Sequence, residues 1–291
     1  MSDLLQGPAE GSDTGATSRC VRGPVIPALD IAEFRVFGVT FHTFGLLVAV
    51  GVLLGHHMTV RRARALGLAS VGLVDRFVLV VFAGGFVAGH MLDTIFYHPE
   101  VLRRDPMELF MLHHGLSSFG GITGGVVAGL VYVRLHKLDP WVFTDLATYA
   151  FPFGWLFGRM GCAVVHDHPG RLTDSPLGVR FAGGARFDLG LIEFALTPLL
   201  IALVVFVGRR TRRPGMVTGA LAVVYAVMRF PLDFLRATDL GPESDPRYAG
   251  LTPAQWACLG VFVLGMWMLA KARTHEPLPL PAAQTAASPP P

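Results

Sequence analysis

Charge is scarce in this sequence. Asp, Glu, Lys and Arg make up 15% of its 291 residues, against about 25% in an ordinary soluble domain. A large, charged, water-facing surface is therefore excluded. Cysteine is scarcer still. Cys20, Cys162 and Cys258 lie far apart and form no CxxC pair, which argues against a disulfide framework or a cysteine-rich metal ribbon. No stretch alternates polar and apolar residues with a period of two, so barrel strands are not expected. The first residues, Met1 to Gly23, are polar and rich in Gly, Ser and Thr. They lack the basic start and apolar stretch of a secretory leader. Basic residues do not gather along one face, so nucleic acid is not an expected partner.

Apolar residues are what the chain has in abundance. They are 52% of the total, and the mean hydropathy is +0.51. They run in long blocks, such as Leu189 to Gly208 and Trp256 to Ala270. A membrane-spanning helix needs about 20 mostly apolar residues. The chain thus reads as an all-α polytopic membrane protein with about seven transmembrane helices, on that length rule. The expected spans are 37–58, 74–97, 117–134, 142–163, 189–208, 216–235 and 254–272. Residues 1–33 read as a disordered lead-in, 34–272 as one membrane domain, and 273–291 as a disordered Pro/Ala-rich tail.

The few charges are informative in their placement. Arg61, Arg62 and Arg64, then Arg134 and Lys137, then Arg209 to Arg213, then Lys271 and Arg273 follow alternate apolar blocks. The positive-inside rule puts these clusters in the cytoplasm, with the N-terminus and the intervening mixed-charge loops outside. The segment from Gly115 to Gly129 holds six glycines. Two readings stay open for it: a small-residue packing face, or a broken helix start whose N–H groups attract an anion.

Ionisable residues inside apolar blocks carry the strongest chemical signal. Arg159 and Arg229 each interrupt a span. A charge at the centre of a spanning helix costs about 2.5–3.5 kcal/mol on insertion scales. Asp233 and Arg236 follow Arg229 at helical spacings that share its face. Two arginines at a common depth suit a phosphate, because a guanidinium binds it bidentately and stays charged. Glu193 and Arg236 also admit a plainer reading, as structural salt bridges or side chains reaching the interface. His166, Asp167 and His168 follow the Arg159 span. Such a cluster can supply a proton acceptor; as a metal motif it is short of ligands. The two halves of the chain show no self-similarity, which weighs against a transporter built on repeats.

Four segments together resemble the bacterial prolipoprotein diacylglyceryl transferase family. They are the HTFGLL opening of the first span at His42, HGLSSFGG from His114 to Gly121, GRMGCAVVHDHPGR from Gly158 to Arg171, and RFPLDFLR from Arg229 to Arg236. The resemblance extends over roughly 34–272. It implies a seven-span enzyme of the bacterial inner membrane that moves the diacylglyceryl group of phosphatidylglycerol to the lipobox cysteine of a preprolipoprotein signal peptide. Partners would then be that lipid, that peptide and the bilayer, with no cofactor and no metal. The family's essential arginines fall on Arg159 and Arg229, and its acids on Asp167 and Asp233. Gly120, Gly121, Gly170, Asp233 and Arg236 would join the arginines around the lipid. Several family positions differ here. The histidine before the glycine pair is Phe119, two asparagines are Cys162 and Val165, a tyrosine is Phe44, and an arginine is His90. The base role then falls to His114, His166 or His168. The alternative expectation is a non-catalytic phospholipid-binding protein of the same fold.

Overall fold

The computed structural model describes residues 26–28, 31–68, 70–110, 115, 117–181, 183–240 and 246–279. A hairpin of β1 (Glu33–Val36) and β2 (Val39–His42) leads into α1 (Thr43–Ala65). Then come α2 (Val71–Tyr97), the short α3 (Pro99–Arg104), α4 (Ser118–Leu135) and α5 (Pro140–Val165). Three antiparallel strands follow, β3 (Pro169–Leu172), β4 (Val179–Phe181) and β5 (Gly184–Asp188), with β5 in the middle. The chain continues as α6 (Leu189–Arg210), α7 (Met216–Leu232), one 3-10 turn over Asp233–Leu235, and α8 (Pro253–Ala272).

Helix bounds follow local chemistry. Asp139 caps α5 by accepting from Trp141 N at 2.8 Å, with Pro140 in the first turn. Asp188 caps α6 by accepting from Leu191 N at 3.0 Å. Thr252 and Gln255 form a reciprocal capping box on α8. Each satisfies an N–H that the helix itself leaves without a partner.

Among the described residues, five helices are long and apolar enough to cross a membrane, namely α1, α2, α6, α7 with its following turn, and α8. The apolar stretch of α4, Phe119–Leu135, is shorter, and the 26-residue α5 carries Asp145 and Arg159. Only 17–33% of the most apolar window of each candidate span is buried by the chain itself. Exposed Leu53, Leu79, Leu199 and Val263 show what the remainder presents. Apolar surface on this scale needs lipid rather than water around it. The protein is a multi-pass membrane protein.

Two expectations are modified. The fold is helical in bulk, but the connection between α5 and α6 is a three-stranded sheet and the lead-in to α1 is a hairpin. These strands are three to five residues long, too short and too rich in Gly to display a periodic pattern. Ile26, within the expected lead-in, bridges Val179 on β4. At the opposite end, Arg212 donates to Ala65 O at 3.2 Å, Leu66 O at 3.0 Å and Leu278 O at 3.0 Å. That ties the end of α1, the α6–α7 loop and the start of the C-terminal tail together.

Half-buried Asp145 also has a structural task. It accepts from Gly215 N at 2.9 Å and Thr218 N at 2.8 Å, and so caps α7 from the side. The glycine-rich helix α4 lies tightly on α2. A Cβ on Gly124 would come within 2.2 Å of Ala88 Cβ and 2.6 Å of Gly84 O, and one on Gly120 within 2.7 Å of Ala88 O.

Candidate active site

The site forms where α5, α6 and α7 converge beside the β3–β5 sheet. Arg159, in the penultimate turn of α5, and Arg229, near the end of α7, are both buried. Glu193, on the second turn of α6, stands between them and is 4% exposed. Its Oε2 lies 3.0 Å from Arg159 Nε and its Oε1 3.5 Å from Arg229 Nε. Gly190 admits this approach: a Cβ there would meet the Cys162 backbone at 3.0 Å. The Arg159 guanidinium also lies 4.3 Å over the Trp155 ring, a cation–π contact that fixes its plane.

Asp233 extends the network. Its Oδ1 is 2.6 Å from Arg229 Nη1 and 3.3 Å from Arg236 Nε. The Thr252 hydroxyl donates to Asp233 Oδ2, so the capped start of α8 holds the carboxylate in place. Gln255 Nε2 donates to Phe230 O at 3.2 Å and pins the same turn. The buried Arg159 and Arg229 thus share Glu193, and Arg229 and Arg236 share Asp233. Buried charges are tolerated when they are paired and hydrogen-bonded, and a guanidinium can bind a phosphate bidentately as a further ligand.

Beyond Arg159 the helix ends at His166, a residue in the left-handed region at φ 51°. Its Nδ1 lies 2.5 Å from Asp188 Oδ2, and its ring meets Phe181 edge-on at 5.9 Å. His166 therefore ties the end of α5 to the cap of α6. The Asp167 carboxylate is bonded to His168 Nδ1 and not to Arg159, whose carboxylate partner is Glu193. Cys162, Asp167 and His168 bring one potential ligand atom each to within 4.8 Å of one another.

The glycines have local partners. A Cβ on Gly170 would lie 2.6 Å from Leu235 O and 2.8 Å from Phe187 O, and the residue bridges Arg236. Gly120 packs on α2, and Gly120 N donates to Ser117 Oγ at 3.3 Å. At Gly121 a Cβ would meet only Gly85 O at 3.8 Å. These contacts are with the chain's own backbone, which explains the glycines at Gly120 and Gly170 without a ligand. His114 lies outside the described residues. Phe119 is 70% exposed, and His90 is buried on α2.

Sequence reasoning singled out Glu193 as an acid in the opening turns of an apolar span and left a salt-bridge reading open for it, and the structure pairs it with both arginines. Which arginines it would pair with was not readable from spacing.

A multi-pass membrane protein with a buried arginine–carboxylate cluster at one end of its helices is the class defined by fold and site. The chain matches the family model described as prolipoprotein diacylglyceryl transferase over residues 32–271. It belongs to that family. Three relatives carry the name phosphatidylglycerol–prolipoprotein diacylglyceryl transferase. One, from Rhizobium leguminosarum, is 30% identical over 87% of this chain and 95% of its own length. One from Chromohalobacter salexigens is 34% identical over 73% of this chain and 79% of its own. A third, from Geobacter sulfurreducens, is 32% identical over 83% and 95%.

Proposed function

We propose that this chain transfers the diacylglyceryl group of phosphatidylglycerol to the lipobox cysteine thiol of preprolipoproteins, in a bacterial plasma membrane. The single observation that carries the reading is the pair of buried arginines, Arg159 and Arg229, brought together on Glu193 where α5, α6 and α7 converge. Two guanidiniums at one place suit a phosphodiester head group, which each can bind bidentately. Membership of the family supports the same reaction.

In the reaction the acceptor sulfur attacks the terminal carbon of the diacylglycerol backbone. An S–C bond forms and the C–O bond to phosphate breaks, with the electron pair leaving on the phosphate oxygen. Glycerol phosphate departs. Negative charge grows on the leaving oxygen, and preorganised cations lower that barrier. Arg159 and Arg229 supply them. Glu193 positions both, and Asp233, locked by Thr252, positions Arg229 and Arg236. The thiol must lose its proton, because the thiolate is the nucleophile. The corner formed by Cys162, Asp167 and His168 receives the thiol.

Seven crossings follow from counting α4 and α5 with the five helices that are long and apolar enough to span. The N-terminus and the sheet then lie outside and the C-terminus in the cytoplasm, since the Arg212 end carries the basic clusters. The test is rescue of a bacterium depleted of its own transferase, with mass spectrometry of a reporter lipoprotein. The expected result is growth and a diacylglyceryl-modified cysteine. Good expression with no modified lipoprotein would leave a lipid-binding protein without the activity.

A further inference from the structure

The transfer needs a group that takes the proton of the acceptor thiol. We propose that His168 is that group and that Asp167 positions it; this deepens the transferase reading above and rests on it. Two histidines follow the Arg159 helix, and the structure gives them different tasks. His166 Nδ1 is bonded to Asp188, and the His166 side chain is only 5% exposed. Asp188 uses its other oxygen to cap α6. That ring is a strut between two helices, closed off from an incoming peptide. The His168 side chain is 28% exposed. Its Nδ1 is bonded to the Asp167 carboxylate, and among the described residues nothing bonds its Nε2.

The bond to Asp167 decides what His168 can do. An ionised carboxylate only accepts, so the imidazole gives it the Nδ1 hydrogen. In the neutral ring the lone pair is then on Nε2, the nitrogen turned away from Asp167. The Cys162 thiol is hydrogen-bonded to the same carboxylate, and Cys162, Asp167 and His168 bring one side-chain atom each within 4.8 Å of one another. Cys162 is buried. It steadies the carboxylate from the inner side, and the carboxylate steadies the ring. A base oriented by a third group is the arrangement that activates nucleophiles. The backbone is held as well. Leu189 N, at the start of α6, donates to His168 O at 3.1 Å. The charged groups of the packed elements are engaged elsewhere: Asp188 with His166, Glu193 with Arg159, and Arg186 with Asp239. Arg159 is one turn before Cys162 on α5, so phosphate clamp and proton acceptor share one helix end.

The step balances. His168 Nε2 takes the S–H proton of the acceptor. The sulfur forms its bond to the terminal carbon of the diacylglycerol backbone. The C–O bond breaks, and its electron pair stays on the phosphate oxygen beside Arg159 and Arg229. The imidazolium then gives its proton to the departing glycerol phosphate. The ring is neutral again, and nothing is oxidised or reduced.

The test uses the full chain in detergent with phosphatidylglycerol and a lipobox peptide, each variant first shown by thermal unfolding to be folded. His168→Gln should lose about 10²–10⁴-fold in transfer rate, the usual share of general acid–base catalysis. Its KM for phosphatidylglycerol should stay as in the wild type, because the arginines are untouched. The wild-type rate should rise with pH in a step that His168→Gln lacks. The residual rate of the variant should instead climb with ionisation of the peptide thiol, near the free-cysteine value of about 8.5. Imidazole in the buffer should restore part of the rate to His168→Ala and none to Arg159→Ala. Asp167→Asn should lower kcat and displace the pH step, and Asp167→Glu should recover part of both. His166→Gln should lower stability and keep the step. One measurement needs no variant: a selenocysteine peptide, whose selenol is already ionised near neutral pH, should abolish the wild-type step. Full rate in His168→Gln, or a step that persists with the selenol, overturns His168 as the base and leaves the transferase reading standing. No diacylglyceryl peptide from the wild type with either acceptor overturns the transferase reading itself.

Discussion

Helix α4 meets α2 through glycine, whereas α5 meets α6 and α7 through charge. Both contacts are close, and each begins from residues that look anomalous in an apolar block. At the first, Gly84, Gly120 and Gly124 let two backbones come together without a side chain between them. At the second, Arg159, Arg229, Glu193 and Asp233 hold their helices through paired charges that no lipid can solvate. The first contact is made by shape. The second brings two buried guanidiniums together, and a guanidinium pair can take a phosphate. A small-residue stripe in a membrane protein therefore speaks of packing until a ligand-directed group appears beside it.

The contrast can be broken most severely at Glu193. Glu193→Ala leaves two buried guanidiniums short of a carboxylate and should destabilise the protein by about 3–5 kcal/mol, read as a lowered midpoint of unfolding in detergent. Glu193→Gln should fall between that and the wild type. Addition of a phosphodiester lipid should raise the wild-type midpoint further by mass action. If both variants unfold like the wild type, the carboxylate is not what holds the arginines.

Gly124→Leu attacks the other contact. Its side chain would begin within 2.2 Å of Ala88 Cβ, and overpacking of this kind costs about 1–3 kcal/mol. The loss should appear in stability, with the affinity for phosphatidylglycerol unchanged in the folded fraction. A loss of lipid affinity at unchanged stability would move the glycine stripe into the binding site.

The smallest effect lies at a further ion pair, outside the spans. Arg186 forks onto Asp239 at 2.9 and 2.6 Å and also donates to Gly170 O at 3.1 Å. Hydrogen bonds from Arg186 hold the Asp239 carboxyl below its ordinary value. Because the folded value is depressed, the pair stabilises the protein above the carboxylate's ordinary range. The stabilisation is lost as pH falls through that range and the folded value. Asp239 is 45% exposed in its side chain, so water screens the pair and its worth is under about 1 kcal/mol. Asp239→Asn should unfold slightly earlier than the wild type at neutral pH and together with it in acid. A gap that persists unchanged into acid would contradict this assignment.

How much of this was legible in the sequence differs between the two contacts. The helices were readable because lipid demands a continuous apolar run, and the run sets the length. The arginines were readable because a charge inside such a run is costly and needs a reason. Glu193 was harder, since one acid near the end of a span is equally consistent with an interface residue. Its role depends on α6 bringing it between two other helices, which spacing along one helix cannot show. The meeting of Cys162 with His168 depends on the left-handed turn at His166, a conformation that a non-glycine residue does not announce. The sheet after α5 escaped because its strands are too short to carry a period. The glycines of α4 were visible, and the position of α2 showed the packing that Gly120 and Gly124 permit.

The central claim is that Arg159 and Arg229 together bind the phosphate of the lipid and stabilise its departure. Its most direct test is the rate of diacylglyceryl transfer from phosphatidylglycerol to a lipobox peptide by Arg159→Ala and Arg229→Ala, each verified as folded. Each variant should lose on the order of 10²–10³-fold in rate, as when one preorganised donor to a developing negative charge is removed. Full activity in either would contradict the claim.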